Sequence, residues 1–221
     1  GGMVVAVILV LFGLGDDTVL LLLRSIGTPP KDLPRVLVLT VSIPFTVFIV
    51  LGACNATNLI DGLDGLCSGV LGIMAAGFLV LAADLHLWND WRPLDVQRVV
   101  ISSAMMGAAL GFLPYNRSPA KIFMGDAGSM LLGLNAAILL LLFAKSSETI
   151  RWMLGSLMMF GLPLADMVLT LARRWRSQRP LMVGDRSHFY DQLVDRGWPI
   201  RRVVRVSYAL AAFFALMGCA P

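Results

Sequence analysis

The feature that most constrains this sequence is a series of apolar runs, each close to the length of a membrane span, divided by short polar segments. A helix rising about 1.5 Å per residue needs about 20 residues to cross the hydrocarbon core of a bilayer. Full spans are predicted at 36–54, 66–84, 96–113, 129–144 and 150–171, with partial spans at 3–14 and 203–219. Composition agrees, because 57% of the 221 residues are hydrophobic and only 14% charged, against about a quarter charged in soluble domains. In lipid each backbone polar group has to be satisfied within the chain, so runs of this length specify helices. The expected fold is therefore all-α, a polytopic transmembrane bundle of about five full and two partial spans forming one integral membrane domain over residues 1–221.

The sequence starts at Gly1 within an apolar run too short to span, without the basic segment or cleavage pattern of a signal peptide. The expectation is a piece of a longer protein, with spans missing before Gly1 and an end at Cys219-Ala220-Pro221 that is cut short as well. Cys54, Cys67 and Cys219 lie in or beside apolar runs, without CxxC spacing or a nearby histidine. They read as small packing residues rather than as a zinc or redox site.

Counting alternate sides places the segments 55–65, 114–128 and 172–202 on one face, and 15–35, 85–95 and 145–149 on the other. The first face carries Arg117, Lys121, Arg173, Arg174, Arg176, Arg179, Arg186, Arg196, Arg201 and Arg202. The positive-inside rule assigns that face to the cytoplasm, and Trp88 and Trp91 suit an interfacial aromatic belt on the other. The net charge of +4 is thus concentrated against the cytoplasmic leaflet, where it can also meet anionic lipid. No soluble module is present to read a nucleic-acid groove, so nucleic acid is excluded as a partner.

The unusual polar residues fall in the same three segments. "NATNLIDGLDGL" places Asn55, Asn58, Asp61 and Asp64 three residues apart, with Gly62 and Gly65 making a long uninterrupted helix unfavourable there. "NRSPAKIFMGDAGSMLLG" sets Asp126 between Gly125 and Gly128, and "VGDRSHFYDQL" groups Asp185, Arg186, His188, Tyr190 and Asp191. Ionisable groups beside a transmembrane bundle are costly and are often functional. Mg²⁺ takes oxygen ligands and commonly needs only one or two protein carboxylates plus substrate phosphates. Asp61, Asp64 and Asp126 fit that economy, with Asn58 as a neutral oxygen donor. A cation beside arginines and a histidine favours phosphoryl transfer on a polyanionic substrate. His188 can bind phosphate as imidazolium or handle a proton near neutral pH, whereas His86 on the far face reads as plain surface.

Taken in order, "NATNLIDGLDGL", "IFMGDAGSMLLG" and "DRSHFYDQL" resemble the motifs of the polyprenyl-phosphate N-acetylhexosamine-1-phosphate transferases. The phospho-N-acetylmuramoyl-pentapeptide transferases belong to that superfamily, and the resemblance covers roughly residues 1–210. It implies attack by undecaprenyl phosphate on the β-phosphorus of a UDP-amino sugar, with release of UMP, in a bacterial inner membrane. It also implies Asp61, Asp64, Asp126 and His188 as the reacting set, with Asn58, Phe123 and Arg186 on substrate. Asp126 and Asn58 would hold Mg²⁺, with Mn²⁺ as the substitute ion, and Phe123 would stack on uracil. Membrane lipid and a second copy of the chain complete the expected partners.

Two departures from that pattern narrow the reading. Where the family usually has further histidines, this sequence has Tyr190 and Asp191, which points away from the muramoyl-pentapeptide branch and toward UDP-N-acetylglucosamine. The family also carries an Asp-Asp pair after an early span. Asp16-Asp17 is separated from Asp61 by one span only, so it reads as a loop on the opposite face, with the true pair expected upstream of Gly1. Asp166, inside the span 150–171, either faces the cytoplasmic cleft or pairs with Arg173 and Arg174. The alternatives are a polytopic transporter or lipid-binding membrane protein whose aspartates bind a coupling cation, and a truncated homologue that binds without turnover. Carriers place such sites near the bilayer midplane, whereas these polar clusters gather at one surface.

Overall fold

The apolar runs form helices in the computed structural model, which describes residues 18–20, 34–87, 93–144, 150–178 and 188–220. These are α1 (Arg35–Leu59), α2 (Leu66–Leu87), α3 (Pro93–Asn116), α4 (Gly125–Ala144), α5 (Ile150–Met159), α6 (Gly161–Arg176), α7 (Phe189–Asp195) and α8 (Ile200–Cys219). Among the described residues there is no strand, and five helices are long and apolar enough to cross a membrane. The chain is an all-α, multi-pass membrane protein. The predicted span 3–14, the Asp16-Asp17 pair, Trp88, Trp91, Arg179, Asp185 and Arg186 lie outside the described residues.

Hydropathy alone does not rank these helices by depth, but packing does. α2 forms the centre, with 72% of its span buried, and it meets α3, α8 and α5. α1 is almost as apolar yet only 28% buried, and it packs on α4 and α6. Its exposed Val36, Phe48 and Leu51 form a surface that suits lipid rather than water. At the core Phe78 of α2 stacks on Phe143 of α4, with ring centroids 5.8 Å apart.

Close approach of α1 and α4 depends on Gly133. A Cβ there would lie 2.7 Å from the Cys54 Cα and 2.8 Å from the Ala53 carbonyl oxygen. Both neighbours are backbone, so the helices have to separate, as at other small-residue contacts between transmembrane helices. Gly133→Ala is expected to cost about 1–3 kcal/mol by overpacking. Thermal unfolding in detergent checks this, and an unchanged midpoint contradicts it.

Two spans differ from their sequence reading. Residues 150–171 are not one straight span, because α5 and α6 meet at a bend of 72°. Pro163 supplies the reason: it has no N–H for the Met159 carbonyl, and its ring clashes with a continuing helix there. The break also sets α6 with Asp166, Thr170 and Arg174 buried along one face and Val168, Leu169, Leu171 and Trp175 exposed. The run at 203–219, read as partial, is a complete 20-residue helix, α8.

Because α3 and α4 run in opposite directions, the bundle has two chemically different ends. At one, Arg98 pairs with Asp95, donates to the Leu142 carbonyl at 2.6 and 3.2 Å, and lies over the Phe143 ring. Arg98 thereby satisfies a carbonyl in the last turn of α4. Arg151 and Asp84 approach to 3.6 Å at the same end. The other end gathers the three polar motifs.

Candidate active site

The first motif begins inside α1 and leaves the helix at Leu59, so its period of three does not make one helical face. Asn58, in the last turn, donates to Asp126 Oδ1 and to Ser129 Oγ, both at 3.0 Å. Asn55, one turn earlier, is exposed. Asp126 lies in the first turn of α4, where the helix dipole favours an anion. Ser129 is buried and bonds back to the Gly125 and Asp126 carbonyls. Asn58 spends both amide hydrogens on these partners, which leaves its oxygen as its lone-pair donor.

Asp61 follows in the turn between α1 and α2. Burial, with the charge of Asp126 as the second cause, pushes its carboxyl up to about 6. A raised value means that the ionised form lacks compensation in the protein alone. Asp64 points elsewhere, accepting the Ala120 N–H at 3.0 Å. Buried Asn116 secures this corner: its oxygen accepts from Gly65 N–H and Ser68 Oγ, and its amide donates to the Ile122 carbonyl. Phe123, next in that segment, is 73% exposed and presents an uncovered ring.

The third motif reaches the first through α6 and α7. His188 is 5% exposed, and its Nδ1 lies 2.7 Å from Asp166 Oδ2. The other Asp166 oxygen accepts the Phe189 N–H at 2.9 Å. Since a carboxylate can only accept here, Nδ1 carries the proton and Nε2 is the nitrogen left for a ligand. The Tyr190 ring stacks on His188, with centroids 5.4 Å apart and planes 8° apart. Its hydroxyl donates to the Leu59 carbonyl at 2.6 Å, and burial keeps that phenol protonated. Gly62 accommodates this contact, because a Cβ there would meet the Tyr190 hydroxyl at 2.2 Å.

The structure thus joins Asn58 to Asp126, leaves Asp61 within reach of the Asp126 charge, and ties His188 to the same turn through Tyr190. Asp64 faces the adjoining 117–121 segment, and Arg186 lies outside the described residues. Asp166, left open between two readings, is the partner of His188. Asn116 and Ser129 carry no mark in the sequence that separates them from ordinary polar residues, whereas Tyr190 stands in the third motif without any sign of its bond to Leu59. Asp166 had one: with Thr170 and Arg174 it forms an i, i+4 polar series within an apolar run.

Among the described residues no three of His, Cys, Asp and Glu converge closely enough to hold a metal ion by themselves. The oxygen set nevertheless fits Mg²⁺, which binds through one or two carboxylates and completes its shell with water and phosphate. Asp126, Asn58 and the poorly compensated Asp61 are the groups in place for it.

The bundle therefore carries this oxygen set and a carboxylate-held histidine at one end. The profile of the family described as glycosyl transferase family 4 matches residues 1–144, and the chain belongs to that family. A probable undecaprenyl-phosphate N-acetylglucosaminyl 1-phosphate transferase of Bacillus subtilis is 37% identical over 175 residues, covering 78% of this chain and 46% of its own length. The decaprenyl-phosphate N-acetylglucosaminephosphotransferase of Mycobacterium leprae is 34% identical over 219 residues, covering 94% of this chain and 54% of the relative. A phospho-N-acetylmuramoyl-pentapeptide-transferase of Anoxybacillus flavithermus is 34% identical over 172 residues, covering 78% and 49%. The chain spans about half the length of the curated relatives it matches.

Proposed function

We propose that this chain carries the donor-side active site of a transferase that moves N-acetylglucosamine-1-phosphate from UDP-N-acetylglucosamine to undecaprenyl phosphate. A phosphate oxygen of the prenyl acceptor bonds to the donor's β-phosphorus, and the bond from that phosphorus to the oxygen of UMP breaks. The observation that carries this reading is the Asn58 bridge to Asp126 and Ser129, held beside His188 by the Tyr190 hydrogen bond. Two relatives named for N-acetylglucosamine transfer, and the single histidine of "DRSHFYDQL", favour this donor over the muramoyl-pentapeptide one.

Each residue then has a definite task. Asp126, Asp61 and the Asn58 oxygen would hold Mg²⁺, or Mn²⁺ in its place. When bound, the cation neutralises charge building on the diphosphate. His188 turns Nε2 toward a phosphate oxygen while Asp166 fixes its ring. The Phe123 face takes the uracil, Asp64 stands at the edge of the site, and Arg186 adds charge toward phosphate. The acceptor is already an anion, so the step requires no strong base. An apolar cavity of about 390 Å³ beside the α5–α6 bend, lined by Phe45, Phe48, Phe160 and Met167 among others, suits the prenyl chain. The arginine-rich end would face the cytoplasm of a bacterial inner membrane, where this step begins cell-envelope polysaccharide such as O-antigen lipopolysaccharide.

Membranes containing the full-length protein are expected to release UMP from UDP-N-acetylglucosamine only when undecaprenyl phosphate and Mg²⁺ are both present. Release of UMP without the lipid, or none from any UDP-amino sugar, sinks the proposal. The pH dependence follows from Asp61, raised to about 6. Its negative form, which the cation needs, is complete above that value and lost below it. The half-maximal Mg²⁺ concentration for UMP release is expected to rise about tenfold from pH 7 to pH 5, by proton competition at one site. Asp61→Asn should flatten that slope, and an equally steep slope in the variant removes Asp61 from the cation site.

A further inference from the structure

A second concavity lies at the same end of the bundle, on the other side of the Asp64 turn. It has a volume of about 960 Å³ and opens between the 117–121 segment, the start of α2 and the first turns of α8. Arg117, Lys121, Arg201 and Arg205 line it, with Asp64 as the one carboxylate and Tyr208 in the wall. Arg201 and Arg205 are one helical turn apart, so they share a face of α8. Among the described residues none of these four cations is in an ion pair with a carboxylate. The wall is built rather than incidental, because Tyr208 donates to the Gly65 carbonyl at 2.5 Å and Gly69 makes room for its ring.

Four cations facing one concavity repel one another, and water screens that cost only in part. An anion bearing several acceptor oxygens removes it and collects guanidinium and ammonium hydrogen bonds together. We propose that this groove is a binding site for a phosphate-bearing anion, separate from the Asp126 site, and that its occupant is the headgroup of an anionic membrane lipid. The flanking helices favour a lipid over a soluble anion. α3 exposes Leu110 and α8 exposes Leu210 and Phe213, so both helices beside the groove present apolar surface to acyl chains. Basic recesses between transmembrane helices at the cytoplasmic surface are the usual form of such sites. Binding is the quantity at issue, so the inference stands apart from the transferase reading.

The test is native mass spectrometry of the full-length protein released from neutral detergent, with phosphatidylglycerol or phosphatidylcholine added at equal concentration. Wild type is expected to retain phosphatidylglycerol about tenfold more than phosphatidylcholine. The double variant Arg201→Gln/Arg205→Gln should lose that preference. Arg176→Gln/Arg196→Gln, which removes two exposed arginines outside the groove, should keep it. All four arginines are on the surface, so both variants are expected to fold, and matching unfolding midpoints check this. If millimolar inorganic phosphate raises the unfolding midpoint of wild type and not of the groove variant, while no lipid preference appears, the site holds and its occupant is soluble. Equal loss in both variants, or no preference and no phosphate effect, overturns the site.

Discussion

Asp126→Asn is expected to lower UMP release by about a thousandfold while leaving the protein folded in the membrane. The substitution keeps an oxygen where Asn58 donates at 3.0 Å, so the bridge between α1 and α4 can persist. The charge is what it removes. A neutral amide at this position holds a divalent cation far more weakly than a carboxylate, and it also relieves Asp61 of a neighbouring negative charge. Asp61 should therefore ionise at lower pH in the variant, since part of its upward displacement comes from Asp126. Parallel UMP assays and unfolding midpoints decide the matter. Wild-type turnover in the variant would remove Asp126 from the reaction, and an unfolded variant would make the residue structural.

The second large effect lies away from the substrate. Asp166→Ala leaves the Phe189 N–H without its acceptor and the His188 Nδ1 with only the longer contact to Thr170 Oγ1 at 3.4 Å, in a region nearly closed to water. Stranding buried donors in this way is expected to cost about 3 kcal/mol. Turnover should fall on the order of a hundredfold as His188 loses its orientation. Asp166→Asn separates the two roles. Its amide oxygen can still accept from Phe189 and recover most of the stability, but its amide nitrogen cannot accept the His188 Nδ1–H. Stability recovered without turnover identifies Asp166 as a positioning residue for His188. Wild-type turnover with a wild-type pH profile in Asp166→Asn would reduce it to a helix cap.

Much of this arrangement was legible in advance where the physics is local. The length of an apolar run is set by the bilayer, so four of the predicted full spans coincide with α1 to α4, whose ends shift by a few residues. The fifth was misread because mean hydropathy is indifferent to one proline. Pro163 breaks the span at Phe160 through a missing hydrogen bond and a ring clash, neither of which changes the apolar count. The same averaging hid the Asp166, Thr170 and Arg174 face, because only the bend shows which side of α6 turns inward.

The sequence by itself determined the membrane class, the gathering of the polar motifs at one end and the resemblance that Asn58, Asp61, Asp126 and His188 carry. Each of these depends on spacing along the chain or on the alternation of loops, and both survive without coordinates. Only the tertiary structure decided which polar groups are partners. Asn58 and Asp126 are 68 residues apart, and Tyr190 lies 131 residues from the Leu59 carbonyl it binds. The groove between Asp64 and Arg205 likewise exists only where α8 closes against α2 and the 117–121 segment. Such contacts depend on how closely helices pack, and at Gly62, Gly69 and Gly133 that distance is set by the absence of a single carbon atom.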